Sequence, residues 1–232
     1  MKNPIIVALD VPGAEEARRI VDAVGGHAAA YKVGMELYAA AGMDFVRELV
    51  GAGRDVFLDM KFYDIPETVK RAVRQVAAAG VRFLTVHGSG PVMRAAVEGK
   101  GSARLELLAV TVLTSFDRED LADLGYPCEV QELVELRVRK AKEADMDGVV
   151  CSPLEVRRVR EIAGPGMTLV TPGVRSPGAA RGDQKRVATP AEAIRNGADY
   201  LVIGRQITRT ADPAAEARRI LEEIAEARAG AS

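Results

Sequence analysis

Eight short apolar runs alternate with longer amphipathic patterns from end to end of this chain, within 232 residues. No linker or low-complexity stretch interrupts them, and the polar strand ends recur on one side of the pattern. Together these predict an α/β fold, a single-domain (β/α)8 TIM barrel over residues 1–232, since eight strand–helix units in this length suit a closed parallel barrel. A doubly wound open sheet is the weaker alternative.

The expected strands are 5–9, 29–33, 56–60, 83–86, 105–113, 148–151, 168–171 and 200–203. Each is short and continuously apolar, as a strand buried on both faces requires. Helical patterns fall at 14–24, 35–51, 66–79, 90–98, 129–145, 153–163, 190–196 and 213–228. Thr189-Pro190 and Asp212-Pro213 each set a capping residue before a proline suited to the first helical position. Gly25, Gly51, Gly80, Gly99, Gly164 and Gly197 lie at or near helix ends, where a left-handed residue closes the turn. One long irregular stretch, 172–188, separates the seventh strand from the next helix; loops of that length in a compact domain are often binding loops.

Composition narrows the function. Lys and Arg total 32 against 33 for Asp and Glu, a net charge of -1, so there is no basic field for nucleic acid or a membrane surface. Any basic site must be local. Cys128 and Cys151 are far apart and form no metal or redox motif. With only two histidines, a transition-metal site is not expected. Met1-Lys2-Asn3-Pro4 leads directly into the first apolar run without a signal segment, and no run reaches membrane-spanning length. The expectation is a cytoplasmic protein. Neither a GxGxxG nor a Walker loop occurs; Gly88-Ser89-Gly90 is too short for either.

The charges at the strand ends point to chemistry. The segment Val56-Phe57-Leu58-Asp59-Met60-Lys61-Phe62-Tyr63-Asp64-Ile65-Pro66 carries three charged groups at the end of an apolar run. In a regular strand Asp59 and Lys61 face the same way. Such groups are costly to bury without a purpose. Asp10 follows the first strand and Lys32 lies in the second, so four charges converge on one barrel mouth, the end where barrel enzymes place their sites. Asp10 could instead cap the first helix, and Lys32 could reach out from the rim, but four in register on neighbouring strands exceed what caps and rims explain. Across the mouth, Thr171-Pro172-Gly173-Val174-Arg175 and Ile203-Gly204-Arg205 follow strands seven and eight. Loops there commonly hold phosphate: glycine admits backbone N–H groups and arginine offers a two-pronged donor. His87 is expected to be a hydrogen-bonded structural residue, and Asp117-Arg118-Glu119-Asp120 to start a solvated helix.

These residues resemble orotidine 5′-phosphate decarboxylases over essentially the whole chain. The matching pieces are Ala8-Leu9-Asp10, Tyr31-Lys32-Val33-Gly34, Asp59-Met60-Lys61-Phe62-Tyr63-Asp64-Ile65-Pro66-Glu67-Thr68, Leu113-Thr114-Ser115, Pro172-Gly173-Val174-Arg175, Asp183-Gln184 and Gly204-Arg205. The Asp-x-Lys-x-x-Asp-Ile-Pro-x-Thr block is highly specific to that family.

The resemblance implies a cofactor-free homodimer that converts orotidine 5′-monophosphate to uridine 5′-monophosphate and CO2. Lys61 would donate the proton, with Asp59 beside the substrate carboxylate and Lys32 and Asp64 completing an alternating charge array. Asp64, Ile65 and Thr68 would enter the partner subunit's site. Asp10 and Lys32 would hold ribose hydroxyls, Thr114 and Ser115 the pyrimidine edge, and Arg175, Gln184, Gly204 and Arg205 the phosphate. Two other readings share parts of this pattern. A Mg2+-dependent keto-sugar-phosphate decarboxylase or hexulose-phosphate synthase shares Asp-x-Lys-x-x-Asp; Phe62, Ile65-Pro66 and Gln184 favour the nucleotide. A nucleotide-binding barrel without catalysis would have little reason to keep Lys32, Asp59, Lys61 and Asp64 together.

Overall fold

The computed structural model describes residues 3–177 and 188–229. Eight parallel strands close in sequence order: β1 (Ile5–Ala8), β2 (Ala30–Val33), β3 (Val56–Phe62), β4 (Phe83–His87), β5 (Glu106–Val110), β6 (Gly148–Val150), β7 (Thr168–Thr171) and β8 (Tyr200–Ile203). The ring is sealed by β1 against β8, with Ile6 opposite Val202. Around it run α1 (Ala14–Val24), α2 (Met35–Gly51), α3 (Pro66–Ala78), α4 (Gly90–Lys100), α5 (Arg118–Asp123), α6 (Val130–Glu143), α7 (Val156–Ala163), α8 (Pro190–Arg195), α9 (Arg205–Thr208) and α10 (Pro213–Ala229). No helix among the described residues is long and apolar enough to cross a membrane.

The alternation of a strand explains the two cores. Ile6, Ala8, Ala30, Phe57, Phe83, Leu108, Val170, Tyr200 and Val202 form one apolar cluster, built from alternate residues along the strands. Residues of opposite parity, among them Val7, Tyr31, Val33, Leu58 and Leu84, pack with the helices in the second. Phe83 meets Phe57 edge-on at 6.1 Å and Tyr200 at 5.2 Å. Such contacts add about 0.5–1.5 kcal/mol each beyond burial, so the barrel is plugged by rings and its mouth has a firm floor. Tyr31 also ties β2 to the end of α1, its hydroxyl donating to the Val21 and Gly25 carbonyls at 3.2 and 3.0 Å.

Local chemistry starts the helices where expected. Thr189 and Glu192 cap α8 reciprocally, with Glu192 N–H to Thr189 Oγ1 at 3.1 Å and Thr189 N–H to Glu192 Oε2 at 2.9 Å. Asp212 Oδ1 accepts the Ala215 N–H at 2.9 Å at the head of α10. Asp117 and Asp120 form the same kind of box at α5, which is the helix start read at 117–120.

Three local expectations change. The third strand does not stop at Met60 but continues to Phe62, through a bulge in which three residues of β3, Asp59, Met60 and Lys61, stand against the single Thr85 of β4. The fifth strand ends at Val110 rather than reaching 113; Val112 and Leu113 leave the sheet and line the mouth. Gly51 and Gly99 are not left-handed caps, a role taken by Gly53 and Gly101. Gly99 is needed for contact instead, because a Cβ there would lie 2.4 Å from the Lys70 carbonyl oxygen.

Candidate active site at the barrel mouth

Lys32 on β2, Asp59 on β3 and Thr85 on β4 lie one strand repeat beyond the inward-facing Ala30, Phe57 and Phe83. The same alternation that plugs the barrel therefore raises them toward its C-terminal mouth. Asp10 follows β1, and its carboxylate accepts Lys32 Nζ at 2.8 Å. The cap of α1 is Gly13, without a side-chain hydrogen bond, so Asp10 serves the mouth and not the helix.

Asp59 is the centre of the array. Its Oδ1 accepts Lys61 Nζ at 2.8 Å and the Thr85 hydroxyl at 2.9 Å, while Oδ2 lies 3.7 Å from Lys32 Nζ. Burial alone would raise its pKa. The charges of Lys32 and Lys61 and the hydrogen bonds from Lys61 and Thr85 outweigh that and hold the carboxyl below the ordinary range. The scale is adequate: an opposite charge about 4 Å away contributes on the order of 4 kcal/mol at an effective dielectric of 20. Asp59 is ionised at neutral pH.

Lys61 reaches Asp59 by an irregular route. Its φ is 47°, a left-handed backbone that few residues other than glycine adopt. Regular alternation is thus not what pairs Lys61 with Asp59; the bulge is. Such a conformation costs about 1–3 kcal/mol and persists where the surroundings enforce it, often at functional sites.

These groups open into a cavity of about 670 Å3. Ala8, Phe57, Val110, Val150 and Val202 supply apolar wall, while Thr114 and Ser115 lie on the rim with Leu113. On the side of strands seven and eight stand Gly173, Arg175, Gly204 and Arg205. Gly173 has φ 76°, and Arg175 Nη1 donates to the Val174 carbonyl at 2.6 Å. Among the described residues, five cationic side chains line the cavity (Lys32, Lys61, Arg175, Arg205 and Arg209) against three acidic ones, Asp10, Glu36 and Asp59. The cavity is locally cationic in a chain of net charge -1, as capture of an anion requires.

The structure brings Asp10, Lys32, Asp59, Lys61, Thr114, Ser115, Arg175, Gly204 and Arg205 together around one space. It does not bring Asp64, Ile65 or Thr68 to that space: all three are exposed on the turn and first helical turn after β3, and Asp64 accepts the Ile65 N–H at 2.6 Å. Gln184 lies outside the described residues. His87 differs from expectation. It is stacked on Tyr63 at 4.2 Å, but its buried Nδ1 has no hydrogen-bond partner among the described residues, and burial and Arg137 lower its pKa.

Sequence reasoning passed over Thr85, Glu36 and Arg209. Thr85 is detectable only from the pairing of β3 with β4, since a buried strand threonine reads as packing. Arg209 had a local signal, lying one helical turn beyond Arg205.

A family model described as the orotidine 5′-phosphate decarboxylase / HUMPS family matches residues 3–220. A protein of Rhodopseudomonas palustris named orotidine 5′-phosphate decarboxylase is 51% identical over 227 residues, covering 98% of this chain and 96% of its own. One of the same name from Bradyrhizobium sp. is 50% identical over 226 residues, 97% of this chain and 93% of that one. The crystal structure of the orotidine 5′-phosphate decarboxylase of Lactobacillus acidophilus superimposes with a TM-score of 0.83 at 36% identity, over 96% of this chain and 99% of that chain. This chain belongs to the orotidine 5′-phosphate decarboxylase / HUMPS family.

Proposed function

We propose that this protein decarboxylates orotidine 5′-monophosphate to uridine 5′-monophosphate in pyrimidine biosynthesis. The observation that carries the reading is the ionised Asp59 held between Lys32 and Lys61 in a cavity otherwise rich in cations. Loss of CO2 leaves an electron pair in the ring plane at C6, where ordinary conjugation does not stabilise it. Fixed protein charge must therefore do so. The Lys61 ammonium faces that developing charge and then transfers a proton to C6, leaving a neutral amine to be reprotonated from solvent. The C6–carboxyl bond breaks and a C6–H bond forms, with no net oxidation.

The other residues take the roles that the family resemblance implies, and their shared place around one cavity supports this. Asp10 and Lys32 bind ribose hydroxyls, Thr114 and Ser115 meet the pyrimidine edge, and Arg175, Gly204 and Arg205 bind phosphate, a role assigned to Gln184 as well. The barrier reduction asked of such a site is of order 20 kcal/mol, more than one ion pair supplies. Binding energy from the remote phosphate must contribute to it.

The proposed assembly is a homodimer in the cytoplasm. Tyr63 and Ile65 are each 67% exposed, and Met35 is 59% exposed, apolar surface beside the mouth that a second copy would cover. Asp64, Ile65 and Thr68 would then complete the neighbour's site. Mixing Lys61→Ala with Asp64→Asn tests this, since heterodimers regain one native site. About a quarter of wild-type activity should return after subunit exchange; a mixture as inactive as its components refutes a shared site.

The reaction is tested by following the orotate absorbance of orotidine 5′-monophosphate, with and without EDTA. Loss of the chromophore in both arms supports the reading. Turnover of a keto-sugar phosphate that EDTA abolishes would favour the Mg2+-dependent branch of the family. Tight nucleotide binding without turnover would favour a binding protein.

A further inference from the structure

Thr85 is fully buried on β4 and touches both ends of the Asp59–Lys61 pair. Its Oγ1 accepts the Lys61 backbone N–H at 2.9 Å and lies 2.9 Å from Asp59 Oδ1. A hydroxyl has one proton. Because Oγ1 is the acceptor toward Lys61 N–H, that proton is directed at Asp59. Oδ1 then receives two donors, Thr85 and Lys61 Nζ at 2.8 Å, and has no room for a proton of its own. Among the described residues, Oδ2 has the looser approach of Lys32 at 3.7 Å.

We propose that Thr85 is a positioning residue for the proton donor. One hydroxyl pins the left-handed backbone of Lys61 and turns Asp59 so that Oδ1 serves Lys61 while Oδ2 faces the substrate carboxylate. The role for catalysis rests on the decarboxylase reading; the hydrogen-bond relay does not. The relay also explains how the bulge of β3 survives. Lys61 has left the regular ladder, its N–H would otherwise be a partly buried donor without its strand partner, and β4 supplies an acceptor from a side chain.

The test compares Thr85→Val, which keeps the shape and removes the hydroxyl, with Thr85→Ser, which keeps the hydroxyl. Val should lower kcat for orotidine 5′-monophosphate by about 10²-fold with KM within about 3-fold, and Ser should recover most of it. Two NMR readouts on the same proteins do not depend on activity. The Lys61 amide should be protected from exchange in wild type and Ser and lose at least about tenfold protection in Val. The Asp59 carboxyl should titrate at higher pH in Val, with Lys32 on β2, Lys61 on β3 and Asp10 (through Lys32) unchanged around it.

A Val variant with wild-type kcat, or a Ser variant as impaired as Val, overturns the proposal. So does an unprotected Lys61 amide in the wild-type protein, which decides the matter even if Val fails to fold. If wild type does not turn over orotidine 5′-monophosphate, the function is wrong, and the amide and carboxyl readouts still decide the relay.

Discussion

Replacing Gly34 with alanine should damage catalysis by moving Lys32 and leave the fold almost untouched. Gly34 precedes α2 with φ −99° and ψ −174°, an extended backbone open to alanine. A Cβ there would sit 2.9 Å from Lys32 Nζ and 3.3 Å from Asp10 Oδ1. The nearer atom is the tip of a flexible side chain, so the ammonium swings away and the sheet stays. What is lost is the Lys32–Asp10 contact at 2.8 Å and the Lys32 charge 3.7 Å from Asp59. A hydrogen bond to a charged group is worth about 1.5–3 kcal/mol, which corresponds to about 10- to 10²-fold in kcat/KM. Stability should change by less than about 1 kcal/mol, because the poorer cap is offset by the lower entropy of the unfolded chain. Gly13→Ala is the matched control: it also precedes a helix in extended conformation, and its Cβ would meet nothing within 4 Å. Initial rates and thermal melts of both variants make the measurement. Wild-type kcat/KM in Gly34→Ala, or an equal loss in Gly13→Ala, refutes the argument.

Other consequences follow from the same geometry. Lys61→Ala should still bind uridine 5′-monophosphate by calorimetry yet show no measurable decarboxylation; substantial residual turnover removes Lys61 as proton donor. Arg205→Ala should lower kcat/KM by about 10²-fold or more, the size expected of a lost charged phosphate contact, and an unchanged value places the phosphate elsewhere. His87 contributes a pH dependence. Its folded pKa lies below 6.5 because burial and Arg137 disfavour the cation, so the unfolded chain takes up the proton first. That contribution to stability is complete above about pH 6.5 and is lost as pH falls toward the folded value. Thermal melts between pH 7.5 and 5 should show His87→Gln flattening this limb; identical slopes in the two proteins contradict it.

Much of the site was legible because it obeys short-range rules. Asp10, Lys32, Asp59 and Lys61 stand at strand ends, and strand neighbours in a barrel are chain neighbours, so linear order alone brought them to one mouth. Asp10 was ambiguous between cap and site until its carboxylate was seen on Lys32. The sequence leads one to expect a hydrogen-bonded His87, but no donor or acceptor among the described residues reaches its Nδ1; whether a buried ring finds a partner depends on neighbours from other strands. The two short helices α5 and α9 escaped length-based reading, although the Asp117 capping chemistry of α5 was visible.

The strand–helix alternation, the caps and the charged strand ends are local properties, and the amino-acid order alone specifies a parallel barrel with a cationic mouth around Lys32, Asp59 and Lys61. Folding in three dimensions decided how those groups are held. The bulge between β3 and β4, the positive φ of Lys61 and the choice of Thr85 as its partner arise from the register between two strands whose paired residues are more than twenty positions apart. Hydrogen-bond register between strands is a relation between segments, and no periodicity within either one encodes it.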